Sequence, residues 1–332
     1  MPVRNLFILV AAVLLLTTSL CYGEEEKAQV RLLFSGGPDG GTFQYFSNGI
    51  STRLTKNISY LQVRNQSSAG SVENIRRVNR GMADFGIVYA GDAYLARNGR
   101  LLNDPTVYNN TYLLAHLYDA PAHLLTTKNS GIKTPADLTG RKVAIGGAGS
   151  GAAASAERYF RTLGIWSQIH TLFIGYSAAA TKLQKSEIDA MWVLAGIPNA
   201  SIIQATTGTV PMRLIDTWEP GVKVGLFEKN PFYRRVVIPA GTYNGIDADC
   251  VTFGDAAFWV AGKQVKETAT YDALADIYSS EGLAYMERVK STARSMSPST
   301  ALKNITIPLH SGAIKFWSEQ GLEIPDVNTV TE

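Results

Sequence analysis

Residues 29–54 read QVRLLFSGGPDGGTFQYFSNGISTRL, in which a short apolar run is followed by a glycine cluster and then by a helical pattern. The run at 29–34 is apolar enough for a buried strand. From 43 to 54, apolar side chains recur at every third or fourth position, which predicts a helix with one buried face. The glycine cluster at 36–41 is therefore expected to form a turn from a strand into a helix.

The same alternation of strand and helix continues to residue 89. Residues 60–63 alternate as a strand does, and Ser71 is predicted to cap a helix over 72–80. Residues 84–89 form the next apolar strand. The order strand, helix, strand, helix, strand is that of half an open parallel sheet.

A second series of strands and helices occupies the middle of the chain. It begins with a strand at 142–145, the glycine loop 146–151 and a helix over 152–163. The further predicted strands are 171–174, 188–194 and 212–215, and the further helical stretches lie near 178–185 and 197–205. The two series share their order of elements without a repeated sequence.

Two stretches are predicted to pass between the two sheets. The apolar runs 112–117 and 123–127 are broken at 119–121, and residues 256–261 form a second apolar strand. Two crossings make one of the lobes discontinuous. We therefore predict an α/β protein of two lobes, each a mainly parallel open sheet flanked by helices, with lobe 1 at 24–120 plus 260–332 and lobe 2 at 121–259. One long helix is predicted over 271–290.

The first 23 residues have the composition of a secretory signal. Arg4 is their one charged residue, and the apolar run that follows is shorter than the roughly 18 residues that a spanning helix needs. We expect cleavage before Glu24 and a periplasmic location. A lipid anchor at Cys21 is disfavoured because a large residue, Leu20, precedes that cysteine.

Composition and motifs argue against most catalytic classes. The net charge of +3 gives no electrostatic footprint for nucleic acid, and Cys250 is the one cysteine after residue 23. The four histidines lack metal-motif spacing, and the loop 146–151 lacks both the P-loop lysine and the dinucleotide fingerprint. Residues 130–133 match S-x-x-K without its companion motifs. No catalytic residue, metal or cofactor is predicted.

Most of the remaining polar residues lie where predicted helices begin, after strands, at the sheet edge where open α/β folds bind ligands. Tyr89 and Asp92 are predicted to lie at the end of the third strand, at the same edge. Free amides and the dipole of a helix start attract an anion, although each such residue is equally typical of an ordinary cap. We predict that three such starts face one cleft. The predicted ligand-binding residues are Gly41, Thr42, Tyr45, Ser68, Ser71, Tyr89, Asp92, Ser150, Gly151, Tyr176 and Asn199.

Short motifs of different sequence are distributed along nearly the whole chain after residue 23. They are Gly-Gly-Pro-Asp-Gly-Gly-Thr at 36–42, Ala-Gly-Ser-Val-Glu-Asn at 69–74, Ala-Asp-Phe-Gly at 83–86, Asp-Leu-Thr-Gly-Arg-Lys-Val at 137–143, Gly-Ser-Gly at 149–151, Ile-Asp-Ala at 188–190, Gly-Ile-Pro-Asn at 196–199, Ile-Pro-Ala-Gly-Thr-Tyr at 238–243 and Ile-Pro-Leu-His-Ser-Gly-Ala at 307–313. In this order they resemble the TAXI family, the substrate-binding subunits of TRAP (tripartite ATP-independent periplasmic) transporters.

The resemblance implies a monomeric receptor with a two-lobed, type II-like periplasmic-binding-protein fold. It implies a small ligand (a dicarboxylate, a 2-oxo acid or an amino acid such as glutamate) and delivery to an integral-membrane TRAP permease. Tyr89 departs from the family, which commonly has glutamine or serine there. Two alternatives share the architecture: a ligand sensor that docks a membrane signalling protein, and a bilobal transferase or hydrolase. Neither a nucleic-acid partner nor a cofactor is expected.

Overall fold

A computed structural model describes residues 28–327 of the chain. The predicted signal segment 1–23, its cleavage before Glu24 and the anchor at Cys21 lie outside the described residues. Within 28–327, no helix is long and apolar enough to cross a membrane.

The strands form one continuous sheet with two parallel regions. They are β1 (Val30–Ser35), β2 (Leu61–Gln66), β3 (Phe85–Tyr89), β4 (Thr111–Thr127), β5 (Lys142–Ala144), β6 (His170–Leu172), β7 (Ala190–Leu194), β8 (Met212–Ile215), β9 (Arg234–Ile238) and β10 (Cys250–Gly262). Their order is β2-β1-β3-β10-β4-β7-β5-β6, with β9 paired to β10 and β8 paired to β4. Strands β1, β2 and β3 are mutually parallel, as are β5, β6 and β7. The antiparallel pair β4 and β10 joins the first region (β1–β3) to the second region (β5–β7).

Helices cover both regions of the sheet. They are α1 (Thr42–Asn57), α2 (Ser71–Asn79), α3 (Ala90–Arg97), α4 (Gly151–Thr162), α5 (Tyr176–Gln184), α6 (Ala200–Thr206), α7 (Trp218–Lys223), α8 (Leu226–Lys229), α9 (Glu267–Ile277), α10 (Ser280–Val289) and α11 (Ser311–Glu319). The helix predicted from 43 to 54 is confirmed as part of α1, and its predicted buried face is confirmed as well, because the apolar residues are all buried: Phe43, Phe46, Ile50 and Leu54. The sequence Thr134-Pro135-Ala136-Asp137 forms a capping box that opens a short 3₁₀ helix, Pro135–Leu138.

The predicted break at 119–121 is wrong, since β4 runs without interruption across it. Pro121 lies opposite Gly254 of β10, and the next residue, Ala122, already pairs with Leu194 of β7. The proline's missing N–H thus falls where the strand exchanges one neighbour for another, which is where a sheet tolerates proline. The strand therefore continues from one region of the sheet into the other.

The single long helix predicted over 271–290 is also wrong. The structure has two helices there, α9 and α10, separated at Tyr278 and Ser279. The Ser279 hydroxyl accepts a hydrogen bond from the Gly282 amide at 3.0 Å and so caps α10. Tyr278 turns inward and donates its phenol to the His116 carbonyl at 2.9 Å. Periodicity could not reveal this break, because the apolar pattern continues through it.

Candidate functional site

Three helix starts meet at one place between the two regions of the sheet. Gly41 precedes α1, Gly70 precedes α2 and Ser150 precedes α4. Gly70 has a φ of 121°, a backbone conformation that residues other than glycine rarely adopt. The first turn of α2 touches the loop before α4, because the Glu73 amide donates to the Gly149 carbonyl at 3.2 Å. The convergence predicted from the glycine turns is therefore present.

A small cavity lies between these helix starts. Its volume is about 20 Å³, which is room for about one water molecule. The wall also includes Phe43, Leu194 and Ala195. Seven of the predicted residues line it: Gly41, Thr42, Ser71, Tyr89, Ser150, Gly151 and Tyr176. The remaining four, Tyr45, Ser68, Asp92 and Asn199, lie outside its wall.

Most of the hydroxyl groups around the cavity already have hydrogen-bond partners. Ser150 caps α4 by accepting a hydrogen bond from the Ala153 amide at 3.0 Å. Tyr89 and Tyr176 both donate to the Leu194 carbonyl, at 2.5 and 3.0 Å. Tyr89 belongs to the first region and Leu194 to the second, so this hydrogen bond bridges the cavity.

The Ser71 prediction needs a correction. Ser71 is the first residue of α2 and not its cap, since Gly70 holds the cap position without a side-chain hydrogen bond. The Ser71 hydroxyl instead accepts a hydrogen bond from the Tyr89 amide at 2.9 Å. The serine thereby fixes the end of β3 against the start of α2.

Thr42 is the exception among the hydroxyls of the cavity. Its side chain is only 2% exposed, and within the described part of the chain Oγ1 has no hydrogen bond of normal geometry, although the buried Tyr118 hydroxyl lies near it. A buried, unpaired hydroxyl costs roughly 1–3 kcal/mol, and such groups call for an explanation in terms of a partner that binds there. Thr42 also begins α1, so its hydroxyl and the free amides of the first turn lie together.

The other four predicted residues have structural contacts elsewhere. Tyr45 is 42% exposed, with the Lys290 ammonium 5.5 Å from its ring centre. The Ser68 hydroxyl lies 2.7 Å from Asn74 Oδ1 and accepts from the Gly70 amide, which orders the loop before α2. Asn199 caps α6 by accepting from two amides of its first turn.

The prediction that Asp92 lies at the end of a strand is wrong. Asp92 lies on the first turn of α3, which begins at Ala90, and it is completely buried. Its Oδ1 accepts from Arg158 Nη2 of α4 at 3.0 Å, which makes a buried ion pair between the two regions of the sheet. Its Oδ2 lies behind Gly151, 2.7 Å from where a side chain at that glycine would begin.

Sequence reasoning missed the partners of Asp92. Arg158 Nε also donates to the Tyr233 hydroxyl at 2.9 Å, and Asp255 of β10 accepts from the Gly91 amide at 3.1 Å. We name Asp92, Arg158, Tyr233 and Asp255 the buried charge cluster. Asp255 did give a signal, because it is the one charged residue in the apolar strand Cys250–Gly262.

The electrostatics of the cavity come from neutral groups. Burial raises the pKa of Tyr89 and that of Tyr176 above the ordinary value, so both phenols stay protonated and donate. The amino termini of α1, α2 and α4 each add the partial positive charge of a helix dipole. The arrangement offers hydrogen-bond donors and positive potential to a small anion.

The buried charge cluster makes stability depend on pH. Burial, and then the negative charge of Asp92, raise the pKa of Asp255 to about 8, whereas an aspartate in an unfolded chain has a pKa near 3.9. Between these values the folded protein binds a proton that the unfolded chain does not, so the free energy of unfolding falls as pH rises. Burial lowers the pKa of His123 to about 4, which gives the opposite slope below the unfolded value of about 6.5.

Above pH 6.5 His123 is mainly neutral in both the folded and the unfolded chain, so the change in stability there reports on Asp255. We expect the free energy of unfolding to fall by roughly 1–2 kcal/mol between pH 6.5 and 8. The variant Asp255→Asn, which keeps the shape of the protonated side chain, should show no such fall. Urea unfolding of both proteins at several pH values measures this, and parallel curves for the two would contradict the protonation of Asp255.

Comparisons with known proteins were consistent with this fold. A family model described as the NMT1-like family matches residues 34–321. The structure of MatC from Rhodopseudomonas palustris with bound malate is 17% identical, with a TM-score of 0.51 over 81% of this chain and 90% of that one. The periplasmic binding protein BugD is 15% identical, with a TM-score of 0.51 over 89% of this chain and 94% of that one. The predicted fold class, an α/β periplasmic-binding-protein fold, is confirmed.

Proposed function

The chain belongs to the NMT1-like family, and on that premise we propose that it is an extracytoplasmic receptor for a small carboxylate. The carboxylate binds where α1, α2 and α4 begin, and the receptor delivers it to a membrane transporter. The observation that carries the proposal is the buried, unpaired hydroxyl of Thr42 at this convergence. A carboxylate supplies what that donor and the free amides lack, namely an acceptor with several lone pairs.

The size of the cavity supports a receptor that opens and closes. A space of about 20 Å³ holds about one water molecule, so a ligand enters only when the two regions of the sheet move apart. The long strands β4 and β10 join the regions and are the natural place for such bending. We accordingly propose that the predicted lobes, 24–120 plus 260–332 and 121–259, are the bodies that move.

The groups around the cavity favour a receptor over an enzyme. Among the described residues that line it, the reactive side chains are hydroxyls, and none of the lining residues is a histidine, cysteine, carboxylate or lysine. A hydroxyl nucleophile needs an adjacent base, and general acid–base chemistry needs a group that titrates near neutral pH. Binding and releasing a ligand require neither an adjacent base nor a group that titrates near neutral pH.

The finer assignment rests on the sequence resemblance. We propose that the transporter is a TRAP-type permease, that the chain is a TAXI-type subunit of it, and that residues 1–23 direct its export to the periplasm. Co-purification of the tagged receptor with a multi-spanning permease encoded beside it would support this assignment.

The direct test is a ligand screen on the protein without residues 1–23. We expect a subset of small carboxylates to raise the melting temperature, because a ligand that binds only the folded state stabilises it. The same compounds should lower the radius of gyration in solution scattering. A broad carboxylate screen that changes neither quantity would contradict the proposal.

Ser150→Asp tests whether the ligand is an anion. Aspartate is as good a helix cap as serine, so α4 should remain intact while a negative charge enters the cavity wall. Repulsion of a carboxylate about 5 Å away at an effective dielectric constant near 20 weakens binding by roughly 100-fold. Calorimetric titration measures the loss.

Ser150→Asn is the matched control for this experiment. It keeps the cap and has nearly the shape of aspartate, but it adds no charge. Its affinity should stay much closer to that of the unaltered protein. Equal losses for the two variants would mean that the anionic charge plays no part.

Thr42→Val tests the unpaired hydroxyl. Valine has the shape of threonine without the polar group, so the ligand-free protein should be equally or more stable. Affinity for the carboxylate should fall by about tenfold, because one donor to a charged group is lost. Thr42→Ser keeps the donor and is the control. A fall in stability with unchanged affinity would show that the hydroxyl serves the fold alone.

A further inference from the structure

Among the described residues that line the cavity, none carries a charged side chain. The charges close to it are already engaged: Asp92 and Arg158, behind Gly151, are paired with each other at 3.0 Å, and Glu73 accepts from the Ala69 amide and pairs with Arg77. Lys290 stands outside, where its ammonium donates to the Pro198 carbonyl at 3.0 Å and lies over the Tyr45 ring. Asp92 Oδ2 has no hydrogen-bond partner among the described residues, but Asp92 is not part of the cavity wall. The described wall therefore offers no charged side chain to pair with a second charge on a ligand.

The donors are concentrated in one part of the wall. The starts of α1, α2 and α4 bring their free amides together with the unpaired Thr42 hydroxyl. All three helices have nine or more residues, so their dipoles are well developed. These donors form one group, to which a carboxylate with its several lone pairs can bind.

The rest of the wall consists of apolar side chains and of polar groups that already have hydrogen-bond partners. The Phe43 and Tyr89 rings pack with their centres 4.7 Å apart, and Leu194 and Ala195 continue the same surface. The Leu194 carbonyl already accepts hydrogen bonds from Tyr89 and Tyr176, so both of its lone pairs are used. An ammonium group on the ligand would find no acceptor there, and a second carboxylate would find no donor.

We propose, on the basis of the function proposed above, that the receptor selects short-chain monocarboxylates and discriminates against dicarboxylates and zwitterionic amino acids. A charge enclosed without a partner is strongly disfavoured. The cavity has room for about one water molecule, which is too little to solvate a charge. This selectivity differs from the dicarboxylates and glutamate implied by the sequence resemblance, and from the malate named with MatC.

Three four-carbon acids test the proposal with matched shapes. Succinate differs from butyrate by a carboxylate in place of the terminal methyl group, and 2-aminobutyrate differs by an α-ammonium. Calorimetric titration of the full mature chain at pH 7 should give at least 100-fold tighter binding of butyrate than of either of the others. Thermal shifts at equal concentration should follow the same order.

The outcomes separate the selectivity from the proposed function. Tighter binding of succinate or 2-aminobutyrate than of butyrate overturns the selectivity and leaves a carboxylate receptor. Affinities equal within a few-fold for all three acids overturn it as well. If no carboxylate in the broad screen binds, the proposed function itself fails, and this inference fails with it.

Discussion

Replacing Gly151 with valine is expected to abolish ligand binding while both regions of the sheet remain folded. Gly151 is buried at the start of α4, and a side chain there would meet the Tyr89 ring, would begin 2.7 Å from Asp92 Oδ2 and would lie 2.8 Å from Ser71 Cβ. All three belong to elements of the first region. Its φ is not in the left-handed region, so the backbone accepts other residues and the effect is purely one of close approach.

The clash can be relieved by holding the two regions apart. Since the ligand-binding groups come from both regions, a receptor that stays open should lose at least 100-fold in affinity. Gly151→Ala should produce the same change to a smaller extent, although alanine is otherwise favourable in a helix. Calorimetric titration and the radius of gyration of the ligand-free variants measure the two effects.

Gly147 provides the matched control in the same loop. A side chain there would meet nothing within 4 Å, and its φ is also outside the left-handed region. Gly147→Ala should therefore bind ligand as the unaltered protein does. Undiminished affinity in Gly151→Val would mean that contact between α4 and the first region is not needed for binding.

The sequence was sufficient to predict the strands and the helix starts of this site. Buried strands are apolar runs, and a glycine cluster directly after such a run marks a turn into a helix, as at 36–41 and 146–151. Each turn could be expected at the carboxyl edge of its own parallel region, and the prediction of two lobes around one cleft placed the two edges opposite each other. Gly41, Thr42, Ser150 and Gly151 all line the cavity as a result.

What the sequence could not show depends on contacts between distant residues. Arg158 is separated from Asp92 by 66 positions, and Asp255 is separated from Gly91 by 164. No local pattern marks such pairs. The start of α3 at Ala90 was missed for a different reason: residues 89–92 contain no side-chain cap, and Tyr89 at the cap position makes none. Strand β9 was missed because its first two residues are exposed arginines.

Removing the arginine of the buried charge cluster is expected to be the most destabilising substitution. In Arg158→Met, Asp92 would remain completely buried without its cationic partner. The loss of one member of a buried ion pair costs about 3–5 kcal/mol, because the remaining charge has neither water nor a counter-ion. Asp255 interacts with the same arginine, but burial and the charge of Asp92 raise its pKa to about 8, so the charge left unpaired at neutral pH is that of Asp92.

The double variant Arg158→Met with Asp92→Asn separates charge from packing. Methionine fills much of the space of the arginine stem, and asparagine removes the charge that would be left unpaired. If the unpaired carboxylate causes the loss, the double variant should recover most of the free energy of unfolding, as a double-mutant cycle by urea denaturation would show. A double variant as unstable as Arg158→Met alone would assign the loss to the hydrogen bond with Tyr233 and to packing instead. The same cycle bears on function, because the pair joins α3 to α4 directly behind Gly151: if the recovered protein binds carboxylate with undiminished affinity, the ion pair acts on stability and not on closure.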